Sequence, residues 1–191
     1  MAVTRAIMVL GTSSNVGKSW LVTGLCALLH RWGFSVAPFK ALGISSNTAP
    51  ARSPAGEWGE IGRAQATQAE ACGLAPDVDM NPLLIKPVGP GRFHRLLLGQ
   101  RVDPACSLSM EALWADVTAA YRRTAAHRDF VVVEGSGSPV ELNLLDQDLA
   151  NGRLARFAAE QARNTGGDAA CLLVGDIERG GSSPRWSAPS P

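Results

Sequence analysis

Lys18 stands between a glycine and a serine in Gly11-Thr12-Ser13-Ser14-Asn15-Val16-Gly17-Lys18-Ser19, and that order of residues suits the polyphosphate of a nucleotide. Backbone N–H groups of such a loop and of a following helix N-terminus hold phosphate oxygens, the Lys18 ammonium reaches the terminal phosphate, and the Ser19 hydroxyl can ligate Mg²⁺. Gly17 lets the backbone approach the ligand closely. The strict pattern wants a glycine where this chain has Thr12, so the loop carries one extra residue after Gly11. Gly11, Thr12, Ser13, Asn15, Val16, Gly17, Lys18 and Ser19 are therefore the nucleotide-binding candidates, with ATP and Mg²⁺ as the expected ligands. The competing reading is a Gly/Ser turn that happens to contain a lysine.

Acidic and basic groups elsewhere extend this chemistry. Glu134 follows an apolar strand and precedes Gly135, which puts its carboxylate at the carboxyl edge of a sheet, where open α/β folds bind ligands. It is a candidate Mg²⁺ ligand, and Asp176, placed in the same manner after Leu172 to Gly175, is a second; hard cations prefer such oxygens. The alternative for both is a solvated acid at a strand end. Lys40 ends a strand at the same edge, where a cation can meet a substrate carboxylate or a transferring phosphate, unless it is simply an exposed lysine. Asp146 and Asp148 form a paired-acid loop whose plain reading is a solvated turn before a helix. His30, His94 and His127 share no useful spacing, so no catalytic histidine is assigned, and Trp32, Trp58 and Trp114 read as packing residues.

The elements that must position these residues follow from apolar patterning. Thr4 to Leu10 is a buried strand, and Lys18 to Trp32 repeats Leu21, Val22, Leu25, Cys26, Leu28, Leu29 and Trp32 at helical spacing before the stop at Gly33. Phe34 to Phe39 completes a βαβ unit. Ala41 to Gly59, with prolines at 50 and 54, is expected to be loop. Arg63 to Cys72 is a helix, and Leu83 to Lys86 a short strand ended by Pro87. Ser109 caps a helix reaching about Arg128, with Glu111 near its positive end. Phe130 to Val133 is a strand, Arg153 to Ala162 a helix and Ala170 to Val174 a further strand. Strands apolar on both faces and alternating with helices give a doubly wound α/β fold, a mainly parallel sheet with helices on both faces.

Composition sets the outer bounds. The 191 residues suit one α/β domain, and 46% hydrophobic content, 18% charged content and a net charge of +1 are ordinary for a globular protein. Arginines are scattered without interleaved aromatics, which argues against a nucleic-acid partner. Cys26, Cys72, Cys106 and Cys171 form no metal-ligand spacing, and Cys26 and Cys171 read as small core residues. No apolar stretch has membrane-spanning length and no leader is visible, so the expectation is a cytoplasmic protein without a membrane partner. Residues 182–191, with three prolines, are expected to be a disordered tail.

With these residues in hand, the chain resembles the amino-terminal ATP-binding domain of the cobyric acid synthase family, glutamine-dependent amidases of the cobalamin pathway within the wider dethiobiotin synthetase-like P-loop NTPases. The resemblance rests on G-T-S-S-N-V-G-K-S at 11–19, A-P-F-K-A at 37–41, G-E-I-G-R-A-Q-A at 59–66 and D-M-N-P-L-L-I-K-P at 79–87. V-V-E-G-S-G-S-P at 132–139, E-L-N-L-L-D-Q-D at 141–148 and G-D-I-E-R-G-G at 175–181 complete it. It implies that ATP phosphorylates peripheral carboxylates of a corrinoid, adenosylcobyrinic acid a,c-diamide, and that ammonia from glutamine turns each acyl phosphate into an amide. By the same resemblance Lys18, Lys40 and Asp146 are the catalytic candidates, Ser19 and Glu134 hold Mg²⁺, and residues near Lys40 and the 146–148 loop face the corrinoid.

Three departures accompany it. Leu42-Gly43-Ile44 stands where the family has Gln-Asn-Met, which removes two amides that could bond a polar substrate, and Leu10 replaces a glutamine. The similarity stops after Gly181, and the glutaminase domain of the family is not in this chain, so residues 1–181 are expected to be a synthase domain cut short. Ammonia would then come free, or from glutamine through a partner. The alternatives are an inactive ATP-binding remnant, a dethiobiotin synthetase-like enzyme, or a partition-type ATPase, which usually carries an extra loop lysine where Thr12 and Ser13 stand here.

Overall fold

Alternation along strand β1 (Arg5–Gly11) organises the fold: Ala6 and Met8 pack on one face, Ile7 and Val9 on the other. The computed structural model describes residues 3–137 and 148–176. Its central sheet is parallel, in the order β10-β1-β9-β2, built from β1, β2 (Val36–Phe39), β9 (Phe130–Glu134) and β10 (Ala169–Val174). Helix α1 (Lys18–Arg31) packs with α2 (Arg63–Ala71) over Val9, Val36 and Val132. Helices α3 (Met110–Ala125) and α4 (Gly152–Asn164) cover the opposite face, over Ala6, Met8, Phe39, Val131 and Val133. Tyr121 sits edge-on to Phe39 and Phe157 at 5.2 and 5.4 Å and joins the second layer to the sheet. This is the doubly wound arrangement expected. The chain leaves β1 toward β2 on one side and leaves β9 toward β10 on the other, so the carboxyl ends of β1 and β9 flank a topological switch point.

The second half of the helix-to-helix connections differs from expectation. The segment 41–59 is not loop: β3 (Leu42–Ile44), β4 (Thr48–Arg52) and β5 (Trp58–Gly62) run through it. Pro50 is tolerated because β4 and β5 form a ladder of only two strands, in which each has an open side needing no donor. The strand expected to stop at Pro87 continues as β6 (Leu83–Gly89), with an irregularity between Pro87 and Gly89 absorbing the missing N–H. It turns back into β7 (Arg92–Leu97) and β8 (Gln100–Arg101), so β3-β6-β7-β8 is a second sheet. Gly59 and Gly99 explain how this sheet meets β5: a Cβ on Gly59 would lie 2.9 Å from the Gly99 backbone.

Other expectations shift in detail. Helix α3 ends at Ala125 rather than near Arg128, and its Ser109 cap is present, accepting from the Ala112 N–H at 3.1 Å. Along α1 only Val22, Cys26 and Leu29 of the apolar repeat are fully buried, a stripe one residue wide, while Leu21, Leu28 and Trp32 reach solvent. Trp32 and Trp58 are exposed rather than packed, Trp58 lying under the Arg52 guanidinium; Trp114 is half-buried edge-on to Phe157. Cys26 is in the core beside Cys72, but Cys171 is exposed, because β10 is the edge of the sheet and Leu172 and Leu173 beside it are also exposed. Among the described residues no helix is long and apolar enough to cross a membrane. The expected tail at 182–191 lies outside the described residues.

Candidate functional site

The loop between β1 and α1 is shaped by residues with left-handed backbone, Asn15 at φ 63° and Gly17 at φ 97°. Any side chain at 17 would be strained there although the surrounding space is open, so the glycine serves backbone direction. Gly11 serves space instead: a Cβ on it would come within 2.6 Å of Val16 Cγ2 and 2.9 Å of Lys18 Nζ. The loop is anchored by the Thr12 N–H donating to the Val174 carbonyl at 2.9 Å. Helix α1 begins with no side-chain cap and no acid in its first turn, whereas Ser109 caps α3. Its free N–H groups and positive dipole end therefore point into the cleft as an anion site.

Lys18 is buried and folds back over the loop, its Nζ donating to the Ser13 carbonyl at 2.9 Å and the Gly137 carbonyl at 3.1 Å. Burial pushes its pKa down from the ordinary lysine value, the nearby Lys40 ammonium pushes it further, and Glu134 opposes both. Ser19, one residue on, donates its hydroxyl to Glu134 Oε1 at 2.8 Å.

Glu134 is the centre of the site and is only 1% exposed. It follows Val132 by two residues, so the alternation that sends Val132 into the α1–α2 layer sends the carboxylate there too. Oε1 accepts from Ser19 and from Lys40 Nζ at 2.6 Å; Oε2 accepts from Gln65 Nε2 at 3.2 Å and Gln68 Nε2 at 2.7 Å. Lys40 extends from the end of β2 on the same side and forms an ion pair with Glu134. Its backbone is fixed by buried Asn81, which donates to the carbonyls of Lys40 and Leu83 and accepts from the Gly62 N–H, fastening β2, β6 and the start of α2 together.

A divalent ion fits this donor set. Octahedral Mg²⁺ binds oxygen at about 2.0–2.1 Å, which sets neighbouring ligand oxygens about 2.9 Å apart. Ser19 Oγ and Glu134 Oε1 stand 2.8 Å apart, and a cation, the Lys40 ammonium, already rests against the same carboxylate oxygen. Ser14, Asn15, Lys18, Lys40, Glu134 and Ser136 line a cleft of about 470 Å³ over these groups, and Trp20, 85% exposed, and Ile44 form its apolar rim.

The remaining sequence candidates separate. Asp176 lies just past β10 at the same edge of the sheet. Asp146 lies outside the described residues. Asp148 is described: its Oδ1 accepts from the Ala150 and Asn151 N–H groups at 3.1 and 2.7 Å, and its Oδ2 from the Arg153 N–H at 3.3 Å. It caps the start of α4, close to the plain reading of that loop. Asn151 in turn clamps Ser136 through both its N–H and its carbonyl, and the Ser136 hydroxyl bonds the Leu42 carbonyl. Asp148→Ala is therefore expected to cost about 1–2 kcal/mol of stability. Thermal melts should show the loss while nucleotide affinity is retained, and a fall in affinity with unchanged melting would show the acid faces ligand instead.

Sequence patterning missed Gln65, Gln68 and Asn81. The signal was present in α2, where Gln65 and Gln68 alternate with Ala66 and Ala69 on the buried stripe. Polar residues at core positions of a helix require a buried partner.

Comparison with known proteins agrees with this geometry. The family profile described as CbiA, the CobQ/CobB/MinD/ParA nucleotide binding domain, matches residues 7–180. Among curated proteins the chain is 48% identical to the cobyric acid synthase of Desulforudis audaxviator (strain MP104C), over 93% of this chain and 34% of the relative. It is 46% identical to that of Acidovorax ebreus (strain TPSY), over 93% and 37%, and 44% identical to that of Acidovorax sp. (strain JS42), over 93% and 35%. The chain thus spans about a third of the length of the curated relatives it matches. A doubly wound sheet, a phosphate-binding loop at its switch point and a profile match along nearly the whole chain agree: it belongs to the CobQ/CobB/MinD/ParA nucleotide-binding domain family.

Proposed function

We propose that this chain is the ATP-using domain of a cobyric acid synthase, activating peripheral carboxylates of a corrinoid for amidation. The observation that carries the proposal is the convergence of Lys18, Ser19, Lys40 and Glu134 beneath one cleft at the uncapped start of α1. A carboxylate is a poor electrophile. Transfer of the γ-phosphoryl group of ATP to it gives an acyl phosphate and ADP; ammonia then attacks the acyl carbon, phosphate leaves, and the amide forms after loss of a proton. The loop N–H groups and Lys18 hold the polyphosphate and offset charge on the transferring group. Ser19 and Glu134 hold Mg²⁺, which neutralises phosphate charge when bound. Lys40, released from Glu134, reaches toward the incoming carboxylate or the transferring phosphoryl.

Residues 1–181 make up this domain in the proposal. The proposal assigns these residues the ATP-using step alone, with ammonia as the nitrogen donor, supplied as the free molecule or from glutamine through another domain or subunit. The test is ADP release from purified protein with adenosylcobyrinic acid a,c-diamide. Release should require both the corrinoid and an ammonium salt, and glutamine should not replace the salt. ATP binding without any corrinoid-dependent ADP release would instead favour an ATP-binding remnant, and release driven by diaminopelargonic acid a dethiobiotin synthetase-like enzyme.

A further inference from the structure

We propose that Gln65 and Gln68 are positioning residues that make Glu134 present one oxygen, and only one, to a divalent ion, so that the site selects Mg²⁺ over Ca²⁺. The inference rests on the reading of Glu134 as a metal ligand. The two glutamines are one turn apart on α2 and are almost wholly buried. Both spend an amide N–H on the same carboxylate oxygen, Oε2, while Ser19 and Lys40 gather at Oε1. The four donors divide two and two, but by kind: Oε2 is held by two amides carried on one helix, whereas Oε1 meets a hydroxyl that can itself bind a metal ion and an ammonium that a metal ion can displace.

The amide orientations are fixed by charge. Turning Gln68 over would set its oxygen against Glu134 Oε2, two acceptors face to face. In the orientation present, Gln68 Oε1 is buried without a hydrogen-bond partner. A buried unpaired carbonyl destabilises the fold, so the residue is kept for what its N–H does. Gly62 leaves room for this arrangement: a Cβ there would come within 2.6 Å of Gln65 Oε1.

The chemical consequence concerns coordination number. Mg²⁺ takes single carboxylate oxygens in a tight octahedron and retains waters, whereas Ca²⁺ has a larger shell and readily takes both oxygens of one carboxylate. With Oε2 engaged by two amides, Glu134 is confined to the first mode. Removing the amides frees Oε2, and the carboxylate can rotate to meet a larger ion with both oxygens.

Titration calorimetry of ATP in EDTA, in Mg²⁺ and in Ca²⁺ tests this on the full chain, using Gln65→Met and Gln68→Met as shape-preserving changes. The expected result is an affinity in EDTA within about twofold of wild type, a Mg²⁺-linked gain reduced about tenfold in Gln68→Met, and a narrowed Mg²⁺ to Ca²⁺ preference. A purely structural role would lower affinity equally in all three conditions and leave the preference unmoved; that pattern, or an unaltered Mg²⁺-linked gain, overturns the proposal. Should Gln68→Met fail to fold, Gln65→Met, which lacks the longer 3.2 Å bond, decides by the same comparison. A wild-type protein with no Mg²⁺-linked gain would sink the metal reading of Glu134, and the wild-type titration alone separates that result from failure of the glutamine proposal.

Discussion

Replacing Lys18 by Met is expected to weaken ATP binding by about 30- to 4,000-fold, equivalent to about 2–5 kcal/mol, without lowering the melting temperature of the free protein. The loss follows from position: Nζ lies between the loop and the strand β9 side of the cleft, on the Ser13 and Gly137 carbonyls, and a phosphate entering the loop would take over that ammonium. Stability behaves oppositely because the ammonium is buried beside a second lysine. Its folded pKa lies below the unfolded value of 10.5. The folded protein therefore sheds this proton before the unfolded chain does, and stability contributed by the group rises with pH across the window between the lowered pKa and 10.5. Below that window the charge is a burden that Met does not carry. Thermal melts from neutral to alkaline pH should show wild type gaining on Lys18→Met as pH rises, and calorimetry should show the affinity loss. A variant that binds ATP normally would remove the loop from the site altogether.

What the chain revealed before folding depended on whether a residue's role is set by near neighbours in sequence. The phosphate-binding loop was legible because strand, loop and helix follow one another without interruption, and each segment of Gly11 to Ser19 acts through its own backbone. The sheet was legible for a similar reason: Phe130 to Val133 has apolar residues on both faces, and the helices that cover it lie on both sides. Strands β3, β4, β5, β7 and β8 were not legible, since short ladders paired over only a few residues impose little on composition, and Pro50 and Pro87 are tolerated in them. Cys171 shows the opposite failure. Its apolar neighbours state a capacity for burial, but burial also needs a covering layer, and at the sheet edge Leu172 and Leu173 remain exposed. Glu134 was visible as a strand-end acid, yet its four donors come from α1, α2 and β2, and no local spacing records that meeting.

That meeting sets the second large effect. Glu134→Gln keeps the shape of the side chain and removes its charge, leaving Lys40 and Lys18 without the one carboxylate among their described partners. Breaking a buried ion pair from one side costs about 3–5 kcal/mol. The lower figure, about 3 kcal/mol, applies here because Lys40 keeps 16% of its side chain in solvent. At about 2–4 °C per kcal/mol for a chain of this size, the melting temperature should fall by about 6–12 °C. Lys40→Met should cost less, since Ser19, Gln65 and Gln68 still serve Glu134. If the pair is the source of the loss, adding Lys40→Met to Glu134→Gln should recover part of it, giving a coupling of about 0.5–3 kcal/mol in a double-mutant cycle. The same variants separate stability from ligand handling. Glu134→Gln, single or combined, should lose the Mg²⁺-linked part of ATP affinity, whereas Lys40→Met should retain or strengthen it, because no resident ammonium then competes for Oε1. Additive melting shifts would show that the pair is not the source of the stability loss, and a Lys40→Met protein that loses the Mg²⁺-linked gain as Glu134→Gln does would show that Lys40 supports ion binding rather than standing in the ion's place.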